Sequence, residues 1–390
     1  MSILIITIFI LVSIPACSQS DSDLRPIRCG ADRTELYLPL LKGKSVAVMA
    51  NQTSIIGKTH LVDSLISLGV DVKKIFSAEH GFRGNEADGT LISDGKDHVT
   101  GLPIVSLYGK NRKPAPEHLA DIDIVIFDVQ DVGVRFYTFI SSMHYIMEAC
   151  AENSKDFLVL DRPNPNGNYI DGPILQPGFE SFVGMHPVPV VHGMSIAEYA
   201  RMINGEGWLN DSLSCNLSWV TCANYSHSCD FTPPVPPSPN LPNIQTIRLY
   251  PSIALFEGTP VSEGRGTDFP FQTFGFPGFT GGSFEFIPMG IKGVSTNPKF
   301  ENQVCRGKDL REYIPAGGKW NELQLEWLIE AYQSFEDKES FFKPYFDKLA
   351  GTDQLRKDIQ AGKSIDEIRL KWADDLAKYK VRREKYILYP

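Results

Sequence analysis

A short glycine-rich stretch at residues 77–89, SAEHGFRGNEADG, carries acids, a histidine and an arginine directly after an apolar run. An apolar wall raises the pKa of a carboxyl group, because burial disfavours the charged form. Glu79 is therefore a candidate general acid near neutral pH, with His80 and Arg83 beside it as candidate binding residues. The alternative for Glu79 and His80 is a helix cap or a structural hydrogen bond.

A second polar stretch, FDVQDVGVRFYT at residues 127–138, follows another buried strand. Its candidate site residues are Asp128, Gln130, Asp131, Arg135 and Tyr137. Two acids three residues apart could bind a divalent cation or accept hydrogen bonds from sugar hydroxyls. In the structural alternative, Asp128 caps the loop and Arg135 neutralises the acids.

A third stretch, SEGRGT at residues 262–267, places Glu263 and Arg265 between glycines, which allow the backbone to approach a ligand closely. Arg83, Arg135 and Arg265 are planar cations suited to a carboxylate or a phosphate. The sequence has no G-x-S-x-G and no H-E-x-x-H, so the commonest serine hydrolases and zinc proteases are excluded.

Short apolar strands alternate with amphipathic helices through the first half of the chain, as in KSVAVMANQTS followed by THLVDSLISLG. HPVPVVHGM is predicted to be a strand and SIAEYARMINGEGW a helix capped by Ser195. This alternation predicts an α/β fold with a parallel sheet covered on both faces. G-x-G-x-x-G after the first strand and G-x-x-x-x-G-K-[ST] are both absent, which argues against nucleotide binding.

The polar segments EHGFRG, DVQDVGVR, DRPNPNG and HGM each begin where an apolar strand stops. Ligands of open α/β sheets bind at the carboxyl ends of the strands, so these loops are predicted to converge on one site. His192, in HGM, is either part of the site wall or a core histidine.

The proline-rich segment TPPVPPSPNLP is predicted to separate two domains. We predict a signal peptide at 1–16, a tether and N-terminal segment at 17–43, an α/β domain at 44–240 and an α+β domain at 241–390. The second domain is expected to close over the loops of the first.

The N-terminal run MSILIITIFILVSIPAC is too short for a typical membrane span and predicts an export signal. SIPAC resembles a bacterial lipobox, so Cys17 is the predicted lipidation site; secretion with cleavage near Ala16 is the alternative. Either route predicts an extracytoplasmic protein, and the first anchors it to a membrane by lipid alone. The formal net charge of -9 argues against a nucleic-acid partner.

The remaining cysteines include Cys215, Cys222 and Cys229, which are evenly spaced. Seven-residue gaps match no usual zinc spacing, so a disulfide or buried thiols are favoured over a metal site. We therefore predict no bound metal and no cofactor.

Six segments together resemble the NamZ exo-β-N-acetylmuramidase family, formerly a domain of unknown function. They are SAEHGFRG, FDVQDVGVRFYTFISSM, VLDRPNPNG, VVHGMSIAEYA, PPSPNLP and LFEGTPVSEGRGTDFPF. The resemblance implies a Rossmann-like, mostly parallel sheet domain, a smaller C-terminal domain and an active-site cleft between them. It also implies release of N-acetylmuramic acid from the non-reducing end of peptidoglycan fragments during cell-wall turnover or recycling.

The resemblance makes Glu79 the candidate acid/base catalyst. Glycoside cleavage also needs a group opposite the oxocarbenium-like carbon, for which we rank Asp131, Glu263 and Asp128. The 2-acetamido group of the substrate could serve as an internal nucleophile instead. Gln272 departs from the family pattern, where relatives often carry Glu.

Two other functions fit the same residues. One is a lipid-anchored protein that binds wall fragments without cleaving them. The other is an amidase or esterase that uses Asp128 and Asp131 with a metal.

Overall fold

The structure, a computed structural model, describes residues 25–78, 81–83, 95–109 and 111–390. Within these ranges the strands form a seven-stranded sheet, a three-stranded sheet and a two-stranded ladder. The strands are β1 Ser45–Ala50, β2 Ile55–Ile56, β3 Thr59–His60, β4 Asp71–Ser77, β5 Gly95–Lys96, β6 Pro103–Ser106, β7 Ile124–Asp128, β8 Asp156–Leu160, β9 Asn216–Val220, β10 Thr273–Phe276, β11 Phe284–Phe286 and β12 Cys305–Asp309.

The α-helices of the described residues surround these sheets. They are α1 Thr34–Leu41, α2 Leu61–Ser67, α3 Pro116–Leu119, α4 Phe139–Glu152, α5 Ile196–Gly205, α6 Ile244–Ile253, α7 Leu325–Ser334, α8 Pro344–Ala350, α9 Gln354–Gln360, α10 Ile365–Leu370 and α11 Ala373–Arg383. Ser195 caps α5 as predicted, since its side chain accepts a hydrogen bond from the Glu198 amide. None of these helices has the length and apolar character needed to cross a membrane.

The large sheet has the order β5-β6-β4-β1-β7-β8-β9 and is parallel except for β5. Alternate residues of β1 point to opposite faces: Val46 and Val48 join one buried cluster, and Ala47 and Met49 join the other. Helices α1 and α2 cover the first face, while α4 and α5 cover the second. The predicted parallel sheet with two covered faces is confirmed.

The C-terminal part combines the antiparallel sheet β10-β12-β11 with helices α6 to α11. Its buried aromatic residues, including Phe274 and Phe346, belong to the same hydrophobic cluster as α4 and α5. The expected α+β second part is therefore present, and it shares a continuous core with the α/β part.

A tight turn follows α6 within this C-terminal part. Helix α6 continues into a 3₁₀ turn at Ala254–Gly258, which contains Glu257. A Cβ atom at Gly258 would lie 2.4 Å from the Phe346 Cα, so this approach of the turn to α8 requires glycine. The backbone beside Glu257 is thus fixed against a helix of the C-terminal part.

One local prediction differs from the structure. HPVPVVHGM forms no strand; Val191 makes only isolated bridges with Val134 and Asp171. Pro187 and Pro189 lack the amide hydrogen that a strand interior needs, which explains the difference. Helix α1 lies within the predicted tether and N-terminal segment at 17–43.

The cysteines of the described residues are free thiols. They are Cys29, Cys150, Cys215, Cys222, Cys229 and Cys305. Of the two predicted alternatives for Cys215 and Cys222, buried thiols are the one found. Cys17 lies outside the described residues, as does the predicted signal peptide at 1–16.

Candidate active site

A cavity of about 270 Å³ lies at the carboxyl ends of β6 and β7, beneath segments of the C-terminal part. Its aromatic lining residues are Tyr108, Phe136, Tyr137, Phe139, Phe182, Tyr250, Phe271 and Tyr345. Its charged lining residues are Arg112, Glu257 and Arg265. The other lining residues are Thr138, Val183, Ser238, Asn240 and Leu241. The cavity lies at the predicted edge of the sheet, but no residue of the predicted loops DRPNPNG and HGM lines it.

The aromatic wall is built from edge-to-face contacts. Tyr137 lies 5.0 Å from Phe139 and 6.0 Å from Tyr250, and Tyr250 lies 5.0 Å from Phe271, measured between ring centroids. The Tyr137 hydroxyl donates to the Pro237 carbonyl at 2.9 Å. The proline-rich segment therefore also forms part of the cavity wall.

Glu257 and Arg265 form an ion pair of 2.8 Å at the cavity surface. The Arg265 guanidinium also lies 4.9 Å from the Phe271 ring centroid and 3.6 Å from Glu263. Burial raises the pKa of Glu257, and the charge of Arg265 acts in the opposite direction. A second hollow of about 360 Å³ shares Glu257 and Arg265 with the cavity.

Arg112 supplies the other cation of the cavity. Its guanidinium lies 3.9 Å from the centroid of the Phe182 ring, which stacks on Tyr145. Within the described part of the chain, no carboxylate pairs with Arg112, whereas the neighbouring Lys113 pairs with Glu148. The Phe182 ring thus supports the Arg112 guanidinium, which contributes a positive charge to the cavity wall.

The structure brings few of the predicted site residues to the cavity. Tyr137 and Arg265 line it, and Glu263 lies behind Arg265, where Lys299 also pairs with it at 2.8 Å. Glu79 and His80 lie outside the described residues, so their roles stay predictions.

Two predicted binding residues belong to the core instead, and their assignments are corrected. Arg135 has no exposed surface and donates to the carbonyls of Pro173, Val188 and Leu349. Asp128 is also fully buried, and both of its oxygens accept from Arg162, at 2.6 and 2.9 Å. Each side chain is enclosed in the protein interior, which leaves neither available to a ligand.

Three further predicted residues form a buried group behind the loop after β7. The Gln130 amide donates to backbone carbonyls, and Asp131 accepts from the Gly133 amide at 2.6 Å. The fully buried His192 accepts from the Met194 amide and lies 3.7 Å from Asp131. His192 is therefore a core histidine, and Asp131 does not line the cavity.

Arg83 also differs from its predicted role. Its guanidinium bonds Asp97 through two nitrogens at 2.8 Å and reaches Asp63 at 3.1 Å. This bond lowers the pKa of Asp97 well below its usual range. Arg83 thus neutralises two acids rather than lining the cavity. Gln272, the departure from the family pattern, is buried and accepts from the Asn243 amide at 3.3 Å.

Sequence reasoning missed Glu257 and Arg112. Glu257 lies in LFEGTP, where apolar neighbours give it the appearance of a core segment. Its place in the cavity wall depends on the close approach of its turn to α8 at Gly258, which the sequence does not show. Arg112 lies in NRKPAPEH, a pattern typical of a solvated turn, and nothing in its sequence distinguishes it from the adjacent lysine.

The motif DRPNPNG contributes a buried acid to the fold rather than to the cavity. Asp161 accepts from the hydroxyls of Ser195 and Tyr389 and from the Ala197 amide. Burial raises the pKa of Asp161 to about 7. A carboxyl group in the unfolded chain has a pKa of about 3.9.

The folded protein therefore keeps the Asp161 proton over a pH range in which the unfolded chain has lost it. We expect this residue to make the free energy of unfolding fall as pH rises from about 4 to 7, by at most about 1.4 kcal/mol per unit. Urea unfolding of the wild type and Asp161→Asn at pH 5 and 8 tests this. The destabilisation by the substitution should be smaller at pH 8, and an equal destabilisation at both pH values would contradict it.

A Rossmann-like sheet with a smaller α+β part, and a cavity that combines an aromatic wall with a carboxyl group, define an α/β protein with a pocket of the kind that can hold a sugar ring. The family described as exo-beta-N-acetylmuramidase NamZ matches this chain with its N-terminal part at residues 46–245 and its C-terminal part at residues 248–389. This chain belongs to the NamZ exo-β-N-acetylmuramidase family.

Individual relatives agree with that membership. The peptidoglycan beta-N-acetylmuramidase NamZ of Bacillus subtilis strain 168 is 37% identical over 377 residues, which cover 90% of this chain and 89% of the relative. A crystal structure of a DUF1343 family protein from Bacteroides fragilis NCTC 9343 is 45% identical with a TM-score of 0.87, over 94% of this chain and 99% of that one. A second such structure from the same organism is 29% identical with a TM-score of 0.79, over 93% and 99%.

Proposed function

We propose that this protein is an exo-acting β-N-acetylmuramidase that hydrolyses terminal, non-reducing N-acetylmuramic acid from peptidoglycan fragments. The observation that carries the proposal is that both halves of the chain match one muramidase family and enclose a cavity suited to an anionic sugar. The binding protein without catalysis, which the sequence left open, is not favoured by this membership.

The cavity suits one sugar rather than a long glycan. Ligand pockets generally measure roughly 300–1,000 Å³, and this cavity of about 270 Å³ is slightly smaller than that. Aromatic rings such as Tyr250 and Phe271 give the apolar face of a pyranose a surface to pack on. A small cavity of this kind supports exo action on a chain end.

The lactyl carboxylate of N-acetylmuramic acid needs a cation to bind it, and Arg112 is the residue we propose for this role. Of the three arginines predicted for this role, Arg83 and Arg135 are engaged elsewhere and Arg265 pairs with Glu257. Arg112 has no such carboxylate within the described residues, and its planar guanidinium can bind a carboxylate through two nitrogens. The positive charge of Arg112 in the cavity allows an anionic sugar to bind there although the net charge of the protein is -9.

The chemistry requires a proton donor for the leaving oxygen and a group that stabilises the oxocarbenium-like carbon. Glu79 remains the proposed donor, on the strength of its motif. The 3₁₀ turn that carries Glu257 provides a carboxyl group inside the cavity. The metal-dependent amidase or esterase loses its support, because Arg162 occupies both oxygens of Asp128 and Asp131 lies outside the cavity.

The proposed location is extracytoplasmic, on a lipid anchor at Cys17. The SIPAC motif and the position of peptidoglycan outside the cytoplasm support it. The periplasm or the cell surface is then the place where the enzyme meets its substrate.

The activity is tested with a disaccharide that has N-acetylmuramic acid at its non-reducing end and N-acetylglucosamine at the other. Free N-acetylmuramic acid should appear on chromatography. The disaccharide with the reversed order should stay intact, since its terminal sugar lacks the acid arm. Binding of the first disaccharide without any release of sugar would support the non-catalytic alternative.

A further inference from the structure

We infer that Glu257 is the second catalytic carboxyl group of this enzyme, the one that faces the anomeric carbon of the terminal sugar. The inference rests on the proposed muramidase function, and it replaces the ranking of Asp131, Glu263 and Asp128. Four structural observations carry it.

The first observation is the composition of the cavity wall. Among the described residues that line it, Glu257 is the acidic side chain. Asp128 is fully buried against Arg162, and Asp131 accepts from the Gly133 amide. Glu263 lies behind Arg265 and pairs with Lys299. Of the described carboxyl groups, Glu257 is thus the one placed to touch a sugar.

The second observation is that Glu257 lies between two hollows. The cavity described above is on one side, and the second hollow, lined by Val294, Ser295, Thr296 and Asn297, shares both Glu257 and Arg265 with it. A glycosidic bond joins the terminal sugar to the leaving sugar, so the bond must cross the boundary between their binding sites. We assign the second hollow to the leaving N-acetylglucosamine, whose hydroxyl and acetamido groups suit the polar side chains there.

The third observation is the rigidity of the carboxyl group. The 3₁₀ turn packs on α8 through Gly258, where no larger residue fits. Arg265 holds the carboxylate at 2.8 Å and is itself fixed by the Phe271 ring and by Glu263. Charged groups stabilise a transition state best when they are already fixed in place, because no reorganisation is then needed.

The fourth observation is the electrostatic balance at the carboxyl group. Its side chain keeps 20% of its surface exposed, so a substrate can reach it. Burial raises the pKa of Glu257, and the charge of Arg265, which favours the ionised form, acts against that rise. As the glycosidic bond breaks, its electron pair leaves with the N-acetylglucosamine oxygen, which takes the proton of the general acid. The Glu257 carboxylate balances the positive charge on the anomeric carbon until a water molecule adds there and loses a proton.

The test is Glu257→Gln, which preserves shape and removes the charge. We expect kcat on the N-acetylmuramic acid disaccharide to fall at least about 100-fold, the scale of lost charge stabilisation at a transition state. KM and the affinity for free N-acetylmuramic acid, measured by calorimetry, should change less than about threefold, as expected for an interaction made mainly in the transition state. The thermal midpoint verifies that the variant is folded.

Glu263→Gln is the matched control, since Glu263 belongs to the same charge network but does not line the cavity. It should keep at least about a tenth of the wild-type kcat, as expected for a residue that acts through Arg265. A larger loss for Glu263→Gln than for Glu257→Gln would overturn the inference. So would a Glu257→Gln enzyme with kcat within about threefold of the wild type.

The two proposals fail differently. A wild-type protein that cleaves no disaccharide refutes the muramidase function, whereas an active wild type with an equally active Glu257→Gln variant refutes only the catalytic assignment. If Glu257→Gln does not fold, Glu257→Asp is measured instead. Aspartate keeps the negative charge, but its side chain is one methylene shorter, so the carboxylate lies farther from the sugar. At least a tenfold loss of kcat is expected there, and unchanged turnover would contradict the inference.

Discussion

Replacement of Glu79 by glutamine is expected to lower the turnover of N-acetylmuramic acid glycosides at least about a hundredfold, the usual scale of general acid catalysis. The substitution keeps the size of the side chain and removes the proton that the leaving oxygen requires. Strand β4 ends at Ser77, two residues before Glu79, and the neighbouring β6 leads to Tyr108 in the cavity wall. The strand that precedes this acid in the sequence thus ends at the edge of the sheet where the cavity lies.

The role of Glu79 as proton donor can be separated from a role in binding by varying the leaving group. When the leaving group is an acidic phenol, its oxygen needs little protonation. When the leaving group is the second sugar of the disaccharide, its oxygen needs much more. The loss in Glu79→Gln should therefore be larger for the disaccharide than for the activated aryl glycoside. Equal losses on both substrates, or near-normal turnover by a folded variant, would reject Glu79 as the acid.

Replacement of Arg112 by glutamine should weaken binding of N-acetylmuramic acid about 10- to 100-fold, the range expected for a hydrogen-bonded charge pair. Arg112 lies over the Phe182 ring in the cavity wall, and no carboxylate of the described residues competes for it. Calorimetry with N-acetylmuramic acid and with its uncharged methyl ester measures the effect. The ester should bind wild type and variant with similar affinity.

A matched control for Arg112 is Arg311→Gln. Arg311 also lies over aromatic rings, those of Phe269 and Phe284, but it is not among the residues that line the cavity. Its substitution should leave the affinity for N-acetylmuramic acid unchanged. If Arg311→Gln and Arg112→Gln gave the same loss, or if the ester and the acid lost equal affinity, Arg112 would not be the carboxylate-binding residue.

The fold could be predicted from the sequence because its strands have a strong local pattern. A run such as SVAVMA, with Val46 and Val48 facing one cluster and Ala47 and Met49 the other, is compatible only with burial on both faces. The segment around Val191 was mispredicted because its apolar composition indicated a strand. Its prolines lack the amide hydrogens that a strand needs, so no strand forms there.

The site was less predictable, because polar residues that follow a strand have two possible fates. Arg135 and Tyr137 are two residues apart in the same motif, yet the first is buried among backbone carbonyls and the second lines the cavity. Only the path of the backbone after β7 separates them, and that path depends on distant segments. For the same reason Glu257 could not be recognised: its place in the wall depends on the contact between Gly258 and Phe346, which are 88 positions apart.

The buried guanidinium of Arg135 affects how the two regions of this polypeptide would behave if they were expressed separately. Its hydrogen bonds join carbonyls near Pro173 and Val188 to that of Leu349, so one charge depends on segments from both family regions. A polypeptide shortened to its first 245 residues would keep the charge, lose the Leu349 acceptor and lose the C-terminal members of the hydrophobic cluster to which α4 and α5 belong. Separate expression of the two regions should therefore yield fragments that aggregate unless they are refolded together.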